Sequence, residues 1–190
     1  MQHITFTKGS FSRLTMAAIL VLCWVGYAAA QTELSGPKAE VRGSIGGATF
    51  GDNEIPHGLV GGSVRVYVSR RFSIEPEVFY LRHSENDQDL IVQPNLAVDL
   101  LPPTGKFVPY AIAGVGVIRH RGMVSGFDFT TGAPREFDTS FTSWTASGGL
   151  GVKIFVTDKL FIAPEARLGR EPGLRGTFSV GYVFSGRDRK

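Results

Sequence analysis

Charged side chains are the residues of this sequence with the clearest capacity for chemistry, because ten of them share one parity of alternating runs. Every second residue of a β-strand points to the same face, so side chains of one parity meet in the same space. Five of the ten are acidic and five are basic, which allows them to neutralise one another as ion pairs. They are Glu40, Arg42, Arg65, Glu75, Glu77, Asp99, Lys153, Glu165, Arg167 and Arg175.

Sequence spacing indicates which of these charges are neighbours. The expected pairs are Arg65 with Glu75 or Glu77, and Glu165 with Lys153 or Arg175. Charges of both signs held inside a narrow barrel must pair or be hydrated, so we predict a closed, salt-bridged lumen. In the alternative interpretation several charges lie at wet strand ends, where ion pairs contribute little. Charge reversal at Glu165 is expected to lower heat stability if the network forms.

Nucleophiles, bases and metal ligands are sparse. His83 and Ser84 are adjacent, and adjacent strand residues point to opposite faces, so they do not meet as a nucleophile and base must. His57, His83 and His120 fall at or in loops; without a ligand spacing or a nearby cysteine, scattered loop histidines are favoured over a metal cluster. The sequence therefore predicts no catalytic, cofactor-binding or metal site. It also shows no phosphate loop and no basic-aromatic surface for nucleic acid.

Eight alternating runs must position these side chains. Their predicted bounds are Ala39 to Gly51, Leu59 to Ser69, Phe72 to His83, Leu90 to Leu100, Phe107 to Arg119, Phe141 to Val156, Leu160 to Arg170 and Arg175 to Phe184. No stretch keeps a helical periodicity over three turns, so the fold class is all-β. The runs are near the roughly 9–11 residues of a tilted membrane-spanning strand. We predict an eight-stranded antiparallel up-and-down transmembrane β-barrel.

The hairpin Gly148 to Arg170 indicates the polarity of the barrel wall. One of its faces carries Leu150, Val152, Ile154, Leu160, Ile162 and Leu168. A soluble ligand-carrying barrel would show the same alternation with its apolar face inside. The second face is rich in Gly, Ser and Ala and poor in Lys, which favours a narrow lumen over a water-facing exterior. The apolar face is therefore predicted to meet lipid.

The connections indicate the orientation of the barrel. Short breaks such as Thr157 to Lys159 fall on one side, and the longest, His120 to Ser140, falls on the other. A barrel threaded from the periplasm carries its longer loops outside, so we predict Thr157 to Lys159 to be a periplasmic turn. Strand five is ambiguous, because Tyr110 shares its parity with Gly114 and either face could point inward.

The chain begins with a segment typical of exported proteins. Lys8 and Arg13 precede an apolar run, and small residues around Ala30 suit a signal peptidase, so residues 1–30 are predicted to be a cleaved signal peptide. Residues 31–38 form a leader, 39–184 the barrel and 185–190 a short basic tail. Cleavage leaves 18 basic residues (20 minus 2) against 17 acidic ones and removes the single cysteine, Cys23. The mature chain therefore has no disulfide.

At this point the sequence resembles a known family. Phe107 to Val117, the hairpin Gly148 to Leu160 and the closing Gly181-Tyr182-Val183-Phe184 are similar to small bacterial outer-membrane barrels of the outer-membrane protein A-like type. The resemblance implies a monomer in the outer membrane of a Gram-negative envelope, with periplasmic chaperones and the barrel-assembly machinery as partners. The assembly signal is an aromatic last strand ending on Phe; here Phe184 is followed by six further residues.

Outer-membrane lipid and lipopolysaccharide are the other expected partners. Arg119 and Arg121 flank His120 at the start of the longest connection, and guanidinium groups suit phosphate oxygens. They are therefore candidate contacts for lipopolysaccharide, with a solvated strand end as the alternative.

Three functions are compatible with this sequence. The first is a structural or interaction barrel with a closed lumen and no catalytic activity, which needs no cofactor. The second is a narrow, porin-like pore, and the third is an enzyme that modifies outer-membrane lipid. The lumen charges favour the first function.

Overall fold

Eight antiparallel strands close into a barrel in sequence order, because β1 pairs with both β2 and β8. The strands are β1 (Ala39–Phe50), β2 (Ile55–Tyr67), β3 (Phe72–Ser84), β4 (Asp87–Asp99), β5 (Phe107–Asp128), β6 (Ala133–Phe155), β7 (Leu160–Arg170) and β8 (Leu174–Val183). Closure leaves no unpaired sheet edge, as a lipid environment requires. The predicted fold class is confirmed.

The computed structural model describes residues 38–50, 55–84, 87–102, 105–128 and 133–184. The predicted signal peptide, nearly all of the leader and the basic tail lie outside these residues. All described residues belong to one compact unit, Leu34–Lys190. Among them no helix is long and apolar enough to span a membrane.

The two ends of the barrel differ. At the end we call the turn end, the strands are joined through residues 68–71, 100–106 and 156–159. At the opposite end, which we call the hairpin end, β5 and β6 protrude as strands of 22 and 23 residues that pair as far as Asp128 and Ala133.

The expectation of one long loop from His120 to Ser140 is therefore wrong. Most of that segment continues the β5–β6 hairpin, and β2 and β4 also begin earlier than predicted, at Ile55 and Asp87. Apolar alternation marks a strand only while one of its faces meets lipid or a core. Backbone pairing continues beyond that point, where the apolar alternation fades.

Apolar side chains alternate outward and small, aromatic or charged side chains alternate inward. In β6 and β7, Leu150 and Leu168 are 63% and 69% exposed, whereas Lys153 and Phe155 are buried. This is the polarity predicted for a membrane barrel. β5 follows the same rule with Tyr110 inward and fully buried, which settles its face.

Prolines lie within the barrel wall and locally interrupt the pairing. Pro76 and Pro94 stand directly opposite each other between β3 and β4. On their other sides, the β2–β3 and β4–β5 ladders are each broken for two residue pairs, and Pro164 coincides with a similar gap between β6 and β7. Proline has no N–H to donate, so each gap lies beside a missing donor.

Candidate functional site

The ten inward-facing charges form one connected network in the middle of the barrel. Five acids and five bases give it a formal charge of zero, and nearly all of these side chains are buried. Its members come from seven strands, so the network ties together walls that share no backbone hydrogen bonds. Within the barrel, opposite charges and hydroxyl groups therefore take the place of an ordinary apolar core.

Lys153 is the centre of the network nearest the turn end. Its Nζ lies 3.1 Å from Glu40 Oε1 and 2.9 Å from Asp99 Oδ2, and all three side chains are fully buried. The Tyr67 hydroxyl oxygen lies 2.6 Å from Glu40 Oε1 and 2.9 Å from Asp99 Oδ2, so its single proton is donated to one of the same two carboxylates. The expected Lys153–Glu165 pair does not form, because Lys153 lies nearer the turn end than Gly151, the register partner of Glu165. Its long side chain instead reaches β1 and β4 across the barrel.

The middle of the network contains two arginines. Arg65 Nε contacts Glu75 Oε2, so the structure brings together this sequence-predicted pair. Arg65 Nη1 also lies 3.5 Å from Asp99 Oδ1, which connects it to the lysine cluster. Arg42 Nη2 lies 3.0 Å from Glu40 Oε2 and its Nη1 donates to the Tyr110 hydroxyl at 3.1 Å. These contacts link β1, β2, β3, β4 and β5 through side chains alone.

Glu77 organises the part of the network nearest the hairpin end. Arg167 forks onto it, with Nη2 2.8 Å from Oε2 and Nη1 3.2 Å from Oε1. Arg175 Nη2 lies 2.7 Å from the same Oε1. The expected Arg175–Glu165 pair is wrong: Glu165 instead contacts Arg167 Nε and accepts a hydrogen bond from Tyr110. Arg167 and Arg175 are direct register partners, so both converge on one carboxylate across the lumen.

Val183 and Val108 are the register partners of Glu40 and Lys153, so apolar residues share the barrel interior with the charges. An apolar layer packs against the network nearer each end of the barrel. Toward the turn end it consists of Val108, Phe155, Phe161, Ala163 and Val183. Toward the hairpin end it consists of Ala48, Leu59, Phe79, Leu81, Ile91 and Ile118, with Phe50 packed against it. Nine of the ten charged side chains are buried, so the pairs experience a lower effective dielectric than surface pairs.

Glycines make room for the inward aromatic rings. Gly151 is the register partner of Tyr110, and a Cβ on Gly151 would meet the tyrosine ring at 2.5 Å. Gly181 is likewise opposite Phe161, and a Cβ there would lie 2.1 Å from the ring. The sequence analysis missed Tyr67 and Tyr110 as network members. The signal for Tyr67 was available, since a tyrosine on the charged parity needs a partner for its hydroxyl, whereas the face of Tyr110 was left open.

The three histidines lie together at the hairpin end and are not scattered. His57 is buried beyond the apolar layer, and the rings of His57 and His83 are 5.2 Å apart. His120 Nδ1 donates to Asp89 Oδ1 at 2.7 Å. His83 Nδ1 donates to the Pro56 carbonyl at 2.7 Å. Strand pairing aligns residues that lie far apart in sequence, which spacing alone does not reveal.

Three outward-facing arginines lie on alternate strands of the wall near the hairpin end. Arg82, Arg119 and Arg170 lie on β3, β5 and β7, each two residues beyond an exposed apolar side chain. On β5 the outward residues from Phe107 to Val117 span about 25 Å, from about 3.3 Å per residue and a tilt near 40°, which matches the apolar band of such barrels. The arginines therefore lie at its boundary.

Two arginines in this region contact other side chains of the barrel. Arg170 packs over Trp144, with its Cζ 4.1 Å from the ring centroid. Arg121, the second predicted lipopolysaccharide contact, lies 3.7 Å from Asp138 on the exposed protruding hairpin.

A closed, inside-out antiparallel barrel with an apolar wall is the architecture of a membrane-spanning β-barrel. A family model described as the outer membrane protein beta-barrel domain matches residues 15–184. The chain belongs to this family of outer-membrane barrels. No curated protein matches the sequence.

Solved structures share the fold at low identity. The N-terminal β-barrel domain of Pseudomonas aeruginosa OprF is 16% identical with a TM-score of 0.55, over 78% of this chain and 99% of that one. Neisserial surface protein A is 12% identical with a TM-score of 0.59, over 77% and 96%. Ail of Yersinia pestis, solved with the heparin analogue sucrose octasulfate, is 12% identical with a TM-score of 0.51, over 79% and 98%.

Proposed function

We propose that this chain is a structural and interaction protein of the outer membrane, monomeric and without catalytic activity. In this proposal residues 1–30 direct export, the barrel-assembly machinery inserts the barrel, and the hairpin end lies outside the cell. The observation that carries it is the filled lumen, in which a connected network of ten charges packs together with two apolar layers. Side chains that neutralise one another leave few sites for a hydrated ion to cross.

Single-channel recording separates this proposal from a narrow pore. Protein extracted from outer membranes is inserted into planar bilayers, with a trimeric porin as the positive control. We expect no steady openings. Openings of reproducible size would overturn the closed-barrel proposal.

Two further measurements test location and catalysis. Heat-modifiable migration after fractionation of the outer membrane tests insertion, and N-terminal sequencing should begin at Gln31 if the signal peptide is cleaved as predicted. Lipid A from cells with and without the protein should be identical. A change in its acylation or phosphorylation would support a lipid-modifying enzyme instead.

We also propose that the wall binds lipopolysaccharide. The observation that favours this second function is the position of Arg82, Arg119 and Arg170. Their outward guanidinium groups lie at the hairpin-end edge of the apolar band, where lipid phosphates lie. Thermal unfolding of the barrel is compared in vesicles with and without lipopolysaccharide. Stabilisation should decrease when Arg119 and Arg170 are both changed to Gln. The matched control is Arg71→Gln at the turn end, and an equal decrease in this control would contradict the proposal.

A further inference from the structure

We propose that the hairpin end binds a divalent transition-metal ion, with zinc as the expected occupant, through His57, Asp87 and Asp89. One ligand atom from each of these residues lies within 4.8 Å of the other two. His57 Nε2 is 3.4 Å from Asp87 Oδ2 and 3.8 Å from Asp89 Oδ2. The three atoms thus converge on one small volume from β2 and β4, two strands that are not neighbours in the sheet.

These separations are suited to an ion between the atoms. Zinc binds nitrogen and oxygen ligands at about 2.0–2.2 Å, and tetrahedral geometry then places neighbouring ligand atoms about 3.4 Å apart. The two measured distances from His57 Nε2 are at or slightly above that value. All three ligand atoms lie within 4.8 Å of one another, so side-chain adjustment would complete the coordination.

The donor set selects the class of metal. One imidazole and two carboxylates supply a nitrogen and two anionic oxygens, whereas calcium and magnesium prefer oxygen alone. Three protein ligands with a fourth position open is a common zinc arrangement. The Asp87 side chain is 46% exposed, so the fourth position faces the hairpin-end mouth and gives an ion a path to the site.

Neighbouring groups hold these ligands in place. Asp89 is buried, and its second oxygen accepts the hydrogen bond from His120 Nδ1, which leaves Oδ2 directed toward His57. The Phe50 ring packs edge-on against His57 at 4.7 Å between centroids. Hydrogen bonds to the carboxylates and packing against the imidazoles orient the residues that bind the ion directly in metal sites. The apolar layer beneath closes the site on the lumen side.

Titration calorimetry tests the site directly. The protein is expressed without a polyhistidine tag, which would itself bind zinc, then extracted from outer membranes, stripped with a chelator and titrated with Zn²⁺. We expect one ion per chain. Asp87→Asn should weaken binding at least tenfold, because it removes an anionic ligand from an accessible position. His57→Gln should weaken it as strongly, and cobalt loaded in place of zinc should lose its visible absorption in both variants.

Asp138→Asn is the matched control, since it makes the same change on an exposed acid of the same barrel end. Heat-modifiable migration verifies that each variant is folded before titration. Zinc binding that is unchanged in both folded ligand variants would overturn the assignment. Calcium or magnesium binding as tightly as zinc would also overturn it, because the histidine would then contribute nothing.

Discussion

Removing the shared carboxylate of Glu77 is the sharpest test of the lumen network. Glu77→Gln keeps the shape of the side chain but leaves Arg167 and Arg175 without their common anion. The local group of Glu77, Glu165, Arg167 and Arg175 has a formal charge of zero (2 minus 2), which becomes +1 in the variant. The new amide nitrogen would also face a guanidinium N–H, so donor meets donor.

The structure sets the size of the effect. At 2.7–2.8 Å and an effective dielectric near 20, each of the two closest contacts is worth about 6 kcal/mol of Coulomb energy. Much of this is offset, because the variant no longer buries a carboxylate. Loss of one partner from a buried pair costs about 3–5 kcal/mol, and we expect Glu77→Gln to lower the free energy of unfolding by that amount.

A double-mutant cycle isolates the electrostatic part of this loss. Unfolding in urea is followed in phospholipid vesicles through the fluorescence of Trp144, the single tryptophan outside residues 1–30. Glu77→Gln combined with Arg175→Gln restores a neutral group, so the double variant should be more stable than the sum of the single changes by about 1–3 kcal/mol. Asp138→Asn, which affects an exposed ion pair, should change stability by less than about 1 kcal/mol.

Two results would refute this reasoning. A loss below about 1 kcal/mol in Glu77→Gln would mean that water already solvates these charges. Strict additivity in the cycle would mean that Glu77 and Arg175 do not stabilise each other, whatever their separation.

Three further substitutions test other parts of the lumen. Glu165→Lys should lower the melting temperature in a heat-modifiability series, because it places a third cation beside the two arginines, and an unchanged profile would contradict a continuous network. Lys153→Met should cost about 3–5 kcal/mol in urea unfolding, since two buried carboxylates each lose one of their two cations; a change near zero would contradict a contribution of Lys153 to the network. Gly181→Ala should destabilise the barrel by about 1–3 kcal/mol by forcing Phe161 aside, whereas Gly176→Ala, with nothing within 4 Å of its Cβ, should not; equal effects would exclude overpacking.

One ion pair on consecutive strands was predictable, whereas the distant pairs were not, and the pairs expected between Glu165 and Lys153 or Arg175 do not form. Arg65 and Glu75 lie on consecutive strands joined by a short turn, so parity and spacing were enough to bring them together. Lys153 meets Glu40, 113 residues away, only because the barrel closes between β1 and β8. The histidine cluster depends on how the sheet curves and pairs, since its members come from β2, β3 and β5.

The sequence by itself determined the number of strands, the lipid-facing parity of every strand except β5, and the ten charges of the lumen network. These follow from a period of two, which each strand displays independently of the others. Only the tertiary structure decided which charges meet, how far β5 and β6 protrude, and that His57 lies against Asp87 and Asp89. Those contacts cross a closed lumen, so they depend on strand tilt and stagger, which belong to the whole barrel and are absent from any local pattern.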